Sequence, residues 1–235
     1  MDILSLAQEQ AEKIVSDVGF VWPRSGEPAT FEAIGRASEV DTAIVKREIQ
    51  RYMTKHLMQD RRLAQDFRVA IMRLVYGRFQ TRKVDQDDEQ RMILEWLRGD
   101  LRGRSGLASM GISGHIGRHN ARAMLRSLSH WHRSVRARAV LLWIDLGAVG
   151  ATGGRHRYTL AAALDVFEVL RPSIDGIDAI GGMFCVVAVR PSFLDESDHR
   201  YSIHAYLALK MRLRSDVRPD GRDDPLAPLV ELRAS

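Results

Sequence analysis

Ala139-Val140-Leu141-Leu142-Trp143-Ile144-Asp145 is an unbroken apolar run closed by an acid. A continuous run of this length is the pattern of a strand buried on both faces of a parallel sheet. Downstream, Gly147 to Arg157 carries four glycines and reads as a loop. Thr159 to Leu170 then places Leu160, Leu164, Phe167 and Leu170 at helical spacing and is stopped by Pro172, while Met183 to Val189 is a second apolar strand candidate. Strand, helix and strand in this order predict a βαβ unit, and with it an α/β fold whose parallel sheet is flanked by helices. Tyr201 to Ser215 reads as a last helix, followed by the tail that opens at Pro225-Leu226-Ala227-Pro228.

Upstream of the run the chain is largely α. From Leu4 to Val18 the positions Leu4, Leu6, Ala7, Ala11, Ile14, Val15 and Val18 keep a helical period, with Gly19 placed to end it and Phe20-Val21-Trp22 as a short strand candidate. A helix capped by Thr30 follows. Another runs from about Asp41 to Met58 with Ile44, Val45, Ile49, Tyr52 and Met53 on one face, and Leu63 to Phe79 and Asp87 to Arg98 continue the pattern. Leu101 to Asn120 breaks it with glycines 103, 106, 111, 114 and 117, predicting an irregular, flexible segment. Asn120 is an N-cap candidate for a helix through about Val135, with Ala121, Met124, Leu125, Leu128 and Trp131 inward and Arg122, Arg126 and Arg133 outward or lateral.

With 235 residues and 45% apolar content, the chain can fill a real core without cross-links. A lone cysteine, Cys185, excludes an intramolecular disulfide framework and a cysteine-built zinc site, which fits a reducing compartment. The start, Met1-Asp2-Ile3-Leu4-Ser5, has no secretory pattern, and no window approaches a membrane-spanning apolar length, so the expectation is a cytoplasmic protein off the membrane. Charge is unevenly spread. Between Arg98 and Arg138 stand nine arginines and one acid, Asp100, a local charge of +8 within a chain of net +5. The rest of the chain is therefore net −3.

Asp145, at the end of an apolar strand, sits where P-loop ATPases place the acid of their second motif, because a carboxylate there faces the crevice that holds phosphate and Mg²⁺. A buried strand leaving any core also ends well with Asp, so the spacing alone leaves both readings open. Catalytic ATPases place a second acid next to orient the attacking water; here the residue is Leu146. None of the five lysines (13, 46, 55, 83 and 210) follows a glycine, so the chain holds no phosphate-loop Gly-Lys. Histidines 115, 119, 130 and 132 have neither carboxylate nor cysteine nearby in sequence, which argues against a metal site. The row Arg118, Arg122, Arg126 and Arg133 suits a phosphate backbone, or equally a solvated helix face pairing with acids elsewhere.

An ordered series of segments adds a resemblance. It comprises Ile93-Leu94-Glu95-Trp96-Leu97-Arg98-Gly99, Gly111-Ile112-Ser113, Gly117 through Leu128, the strand from Leu141 to Asp145, and Tyr158-Thr159. It continues through Ala163 to Arg171, Ile174-Asp175, Pro191 to Asp195, Ala205 to Leu213 and Asp224 to Val230. Over about Asp87 to Leu232 this series resembles the C-terminal two-thirds of the ATP-binding proteins encoded in bacterial BREX-type phage-resistance loci. The resemblance implies a P-loop NTPase-like domain spanning 1–235, with 30–135 a mostly helical insertion and 136–232 the βαβ part of the core. It implies ATP and Mg²⁺ as cofactors, Asp145 as the catalytic, Mg²⁺-associated and nucleotide-binding acid, Arg190 or Ser192 as a polar sensor of the γ-phosphate, and Arg212 as an arginine finger or sensor. It also implies other phage-defence proteins as partners, assembly into homo-oligomers among them. Leu4 to Val18 with Gly19-Phe20-Val21 resembles the helix and strand that follow the family's phosphate loop. The expectation is thus a truncated or degenerate ATP-binding-family component that does not hydrolyse ATP by itself, its true start lying upstream or its loop lost. The competing expectation is a non-catalytic DNA-binding or scaffold subunit that uses Arg118, Arg122, Arg126 and Arg133.

Overall fold

A computed structural model describes residues 2–80, 84–100, 105–147, 161, 164–168, 170, 181–194, 202–207 and 210–211. The chain divides into two compact units, Met1–Val140 and Leu141–Ser235. Among the described residues the structure is mostly helical with one two-stranded parallel sheet. No described helix is long and apolar enough to cross a membrane.

The first unit is built from α1 (Ile3–Asp17), α2 (Phe31–Ser38), α3 (Thr42–Met53), α4 (Gln65–Tyr76), α5 (Val84–Arg98), the short α6 (Ser105–Ser109) and α7 (Ala121–Arg136). A π-helical turn, Thr54–Met58, extends α3, and a 3-10 turn, Gly77–Phe79, extends α4. Thr30 caps α2 as expected, its Oγ1 accepting from Ala33 N at 3.2 Å, and Asp41 also caps α3, its Oδ1 accepting from Ala43 N at 2.8 Å. The stripes Leu6-Ala7-Ala11-Ile14-Val15, Val45-Ile49-Met53 and Phe67-Ala70-Ile71-Leu74-Val75 are buried in one cluster with Trp96 and Trp131. Each such aliphatic or aromatic side chain stabilises the unit by about 1.5–3 kcal/mol relative to exposure. Ile44 departs from the expected face of α3 and is 41% exposed, because Val45, one position on, takes the inward register.

The strand expected at Phe20-Val21-Trp22 does not form. Gly19 ends α1 with φ +83°, its N–H donates to Ser16 O at 3.0 Å, and Phe20 N donates to Val15 O at 2.9 Å. This paired closure of a helix C-terminus uses the backbone groups a strand would need, and Phe20 packs back on the core as its apolar partner. Accordingly α1 is not the helix of a sheet unit; it packs against α3, α4 and α7.

In the second unit, β1 (Val140–Asp145) pairs with β2 (Met183–Ala188), and Leu146 N donates to Ala188 O at 2.9 Å just past the ends of both strands. The described residues at 164–168 are helical, so strand, helix and strand follow one another as expected. Phe167, Leu170, Phe193 and Ile203 form a second core, with Ile144 and Val187 packed against it. Burial on both faces is the expectation that fails: β1 alternates half-buried and exposed, and Leu141, Trp143 and Phe184 are 63%, 59% and 66% exposed. An apolar run permits burial on both sides, but a second layer must supply the cover. Among the described residues the alternation is confined to β1; along β2 only Phe184 is exposed.

Candidate functional site

Two sites were expected, and each falls within one unit. The first is the C-terminal end of the parallel pair. Asp145, the last residue of β1, is exposed, and its Oδ1 accepts from Gly147 N at 2.7 Å, a tight turn that aims the carboxylate back over the strand end. A Cβ at Gly147 would stand 2.9 Å from Asp145 Oδ1 and 4.0 Å from Arg190 Nε. A side chain at Gly147 would crowd Asp145 Oδ1 and come within contact distance of Arg190 Nε. Arg190 leaves β2 and begins a 3-10 turn, Pro191–Leu194, with Phe193 N donating to Arg190 O at 2.9 Å and Ser192 exposed. Asp145 and Arg190 are therefore brought together; Arg212 lies outside the described residues.

Whether this corner suits Mg²⁺ and ATP is a matter of donors. It offers one carboxylate, already accepting a backbone amide, and no group of three or more metal-ligating side chains occurs among the described residues. With no Gly-Lys pair in the chain, the amides and lysine that grip β- and γ-phosphates are not encoded here. Among the described residues, Asp145 is the one carboxylate at this corner, and they do not by themselves make a Mg²⁺–ATP site.

The second site is the basic row on α7. Its arginines at 122, 126 and 133 lie within about 40° of one another around the helix axis at 100° per residue, and all three are exposed, as is Arg118 in the lead-in. The opposite side of α7 is locked into the unit. Trp131 is fully buried, stacks edge-on with Phe67 at 6.1 Å, and donates from Nε1 to buried Gln10 at 3.2 Å. Ser127 Oγ accepts from Ala64 N at 2.8 Å and donates to Ala123 O at 2.7 Å, tying the start of α4 to α7.

Not all of the local positive charge is available. Arg136 Nε donates to Glu9 Oε2 at 2.7 Å, and this pairing holds the Glu9 carboxyl below its ordinary pKa. His130 Nε2 lies 3.0 Å from Asp60 Oδ2, beside the Arg62 guanidinium that contacts the same carboxylate at 2.9 and 3.0 Å. Partial burial raises the Asp60 pKa, but the Arg62 guanidinium and amide together with His130 lower it further, to about 2. Glu9 and Asp60 are the acids that sequence order hid: they stand 127 and 70 residues from their partners. The signal that could have found Glu9 is its position on the outer flank of an otherwise apolar α1.

Asn120 does not cap α7. Its Oδ1 accepts from Gly117 N at 2.8 Å and its Nδ2 donates to His115 O at 3.1 Å, so it clasps the preceding loop. That loop, expected to be flexible, is held from several sides. Asp66 accepts from Ser113 N, Ser113 Oγ and Gly114 N at 3.0–3.2 Å, Trp96 Nε1 donates to Gly114 O at 2.7 Å, and Arg73 Nε donates to Met110 O at 2.8 Å. His115 and His119 sit on it with ring centroids 5.9 Å apart, while His132 is buried against Arg138 O at 3.2 Å. The four histidines are spread over these separate contacts, and His130 has the carboxylate of Asp60 beside it that its sequence neighbours lack.

Comparison with protein-family models, with curated proteins and with solved structures finds no significant match to this chain.

Proposed function

We propose that the chain is a degenerate ATP-binding-family component of a BREX-type antiphage system, one that retains the acid-and-arginine corner of a P-loop NTPase without autonomous ATP hydrolysis. The observation that carries this reading is the convergence of Asp145 and Arg190 on Gly147 at the C-terminal end of two parallel strands. Ligands of open parallel sheets bind outside these ends, where the loops diverge. The missing Gly-Lys pair and Leu146 in place of a second acid account for the lack of turnover, because phosphoryl transfer depends almost entirely on positioned charge. Purified full-length chain is expected to release phosphate from ATP no faster than buffer, with Asp145→Ala and Arg190→Ala unchanged from that baseline. Turnover at an ordinary ATPase rate that Asp145→Ala abolishes overturns the reading.

A second reading, a non-catalytic DNA-binding or scaffold subunit, is favoured by a different observation: Arg122, Arg126 and Arg133 share one exposed stripe of a helix whose other side is anchored in the core. A rigid rod of guanidinium groups is suited to a duplex backbone. Duplex binding that weakens steeply with salt supports it, and salt-independent or absent binding removes it.

A further inference from the structure

The segment that leads into α4 is tied to the flank of α7 at two points. Asp60 Oδ2 lies 3.0 Å from His130 Nε2, and Ala64 N donates to Ser127 Oγ at 2.8 Å. At about 100° per residue, His130 stands about 40° around the helix axis from Arg126 and about 60° from Arg133. Residues 60–64 therefore run along one side of the arginine stripe rather than behind it. Between the two ties stand Arg61 and Arg62, both exposed.

The charges on this segment are sorted by direction. The Asp60 side chain is only 12% exposed, with both oxygens engaged by Arg62 and one also facing His130, so the acid is turned into the protein. Arg62 is spent on that carboxylate, but Arg61 is not: among the described residues Arg61, Arg126 and Arg133 enter no ion pair. Along α7, Arg126 and Arg133 are separated by about 10 Å, roughly three phosphate steps of one DNA strand. Arg61 stands to the side of that line, where it meets a phosphate the stripe does not. No Phe, Tyr or Trp side chain is exposed among the described residues of Met1–Val140, so this unit has positive charge without the stacking platforms that hold single strands. Guanidinium groups alone suit the backbone of a duplex and carry no preference for base sequence.

Resting on the DNA-binding reading above, we propose that Arg61 is a further phosphate contact, so that α7 and segment 60–64 together form a surface for double-stranded DNA irrespective of its sequence. Binding of the full chain to short fluorescent duplexes is followed by anisotropy over a salt series. Arg61→Ala is expected to keep the wild-type circular dichroism and to make the slope of log K against log salt shallower by about one, with Arg61→Lys restoring it. Lys46→Ala, an exposed cation on α3, is expected to leave the slope unchanged. Two duplexes of unrelated sequence should bind alike, and either strand alone more weakly. A wild-type chain that binds no duplex, or binds it without salt dependence, ends the underlying reading and this proposal with it. A slope that responds to Arg126→Glu with Arg133→Glu but not to Arg61→Ala leaves that reading standing and overturns the role of Arg61. An equal loss from Lys46→Ala, or single strands bound more tightly than the duplex, overturns the proposal as well.

Discussion

Asp60 shows how one carboxylate shapes the surface that the arginine row presents. It engages Arg62 through both oxygens and His130 through one, and so keeps these two basic groups fixed beside the stripe of Arg122, Arg126 and Arg133. Its pKa of about 2 lies below the ordinary 3.8. A depressed carboxylate stabilises the fold when ionised, so the contribution is complete above about pH 4 and is lost as pH falls through about 2. Solvent screening of the exposed Arg62 limits it to on the order of 1 kcal/mol. Asp60→Asn is expected to be less stable than wild type by that amount at pH 7 in urea titrations. The difference should close between pH 4 and pH 2; a gap that persists at pH 2 would assign the effect to packing instead. Neither this cluster nor the Arg136–Glu9 pair was legible in sequence, since Asp100 is the only acid near the arginines along the chain. Asp145, by contrast, was legible, because an acid closing an apolar strand has one place to go: the exposed strand end.

Among the elements, helices were read with most success where an apolar stripe sets the buried face, whether or not the residue expected to cap them does so. The spans from Thr30, from Asp41 and from Asn120 begin within a residue or two of α2, α3 and α7, because 3.6-residue periodicity selects the buried face whatever it packs on. The failures come where local hydrogen bonding competes. Phe20-Val21-Trp22 has strand composition, but the left-handed Gly19 commits the following amide to Val15. The glycine-rich loop before α7 reads as mobile from composition alone, yet Asp66, Trp96, Arg73 and Asn120 hold it in one conformation. Replacing Asp66 by Ala removes the acceptor for Ser113 and Gly114 and is expected to cost about 1–3 kcal/mol. Hydrogen exchange should report it directly: the Ser113 and Gly114 amides would exchange orders of magnitude faster while the α1 amides barely change. Unaltered exchange at both would show that the loop is held by its apolar residues, Met110 and Ile112, alone.

For the molecule as a whole, charge and core are partitioned. The arginine-rich segment belongs to the helical unit, and the acid-and-arginine corner belongs to the strand-containing unit. If the stripe on α7 binds duplex DNA, Arg126→Glu with Arg133→Glu is expected to lower the slope of log K against log salt by about two, one per lost phosphate contact. The double variant should fold normally, since neither side chain enters the core. An unchanged slope would place the contact elsewhere.

Local patterning was enough to mark the longer helices, the two apolar strands, the acid at the end of the first and the concentration of arginine, because each depends on residues within a few turns of one another; the short α6 formed inside the segment read as irregular. Which charges remain open to a partner and whether a glycine-rich loop is loose depended on the packed chain. Those outcomes are set by groups such as Glu9, Asp60 and Asp66, which meet their partners only when helices far apart in sequence are stacked on a common core.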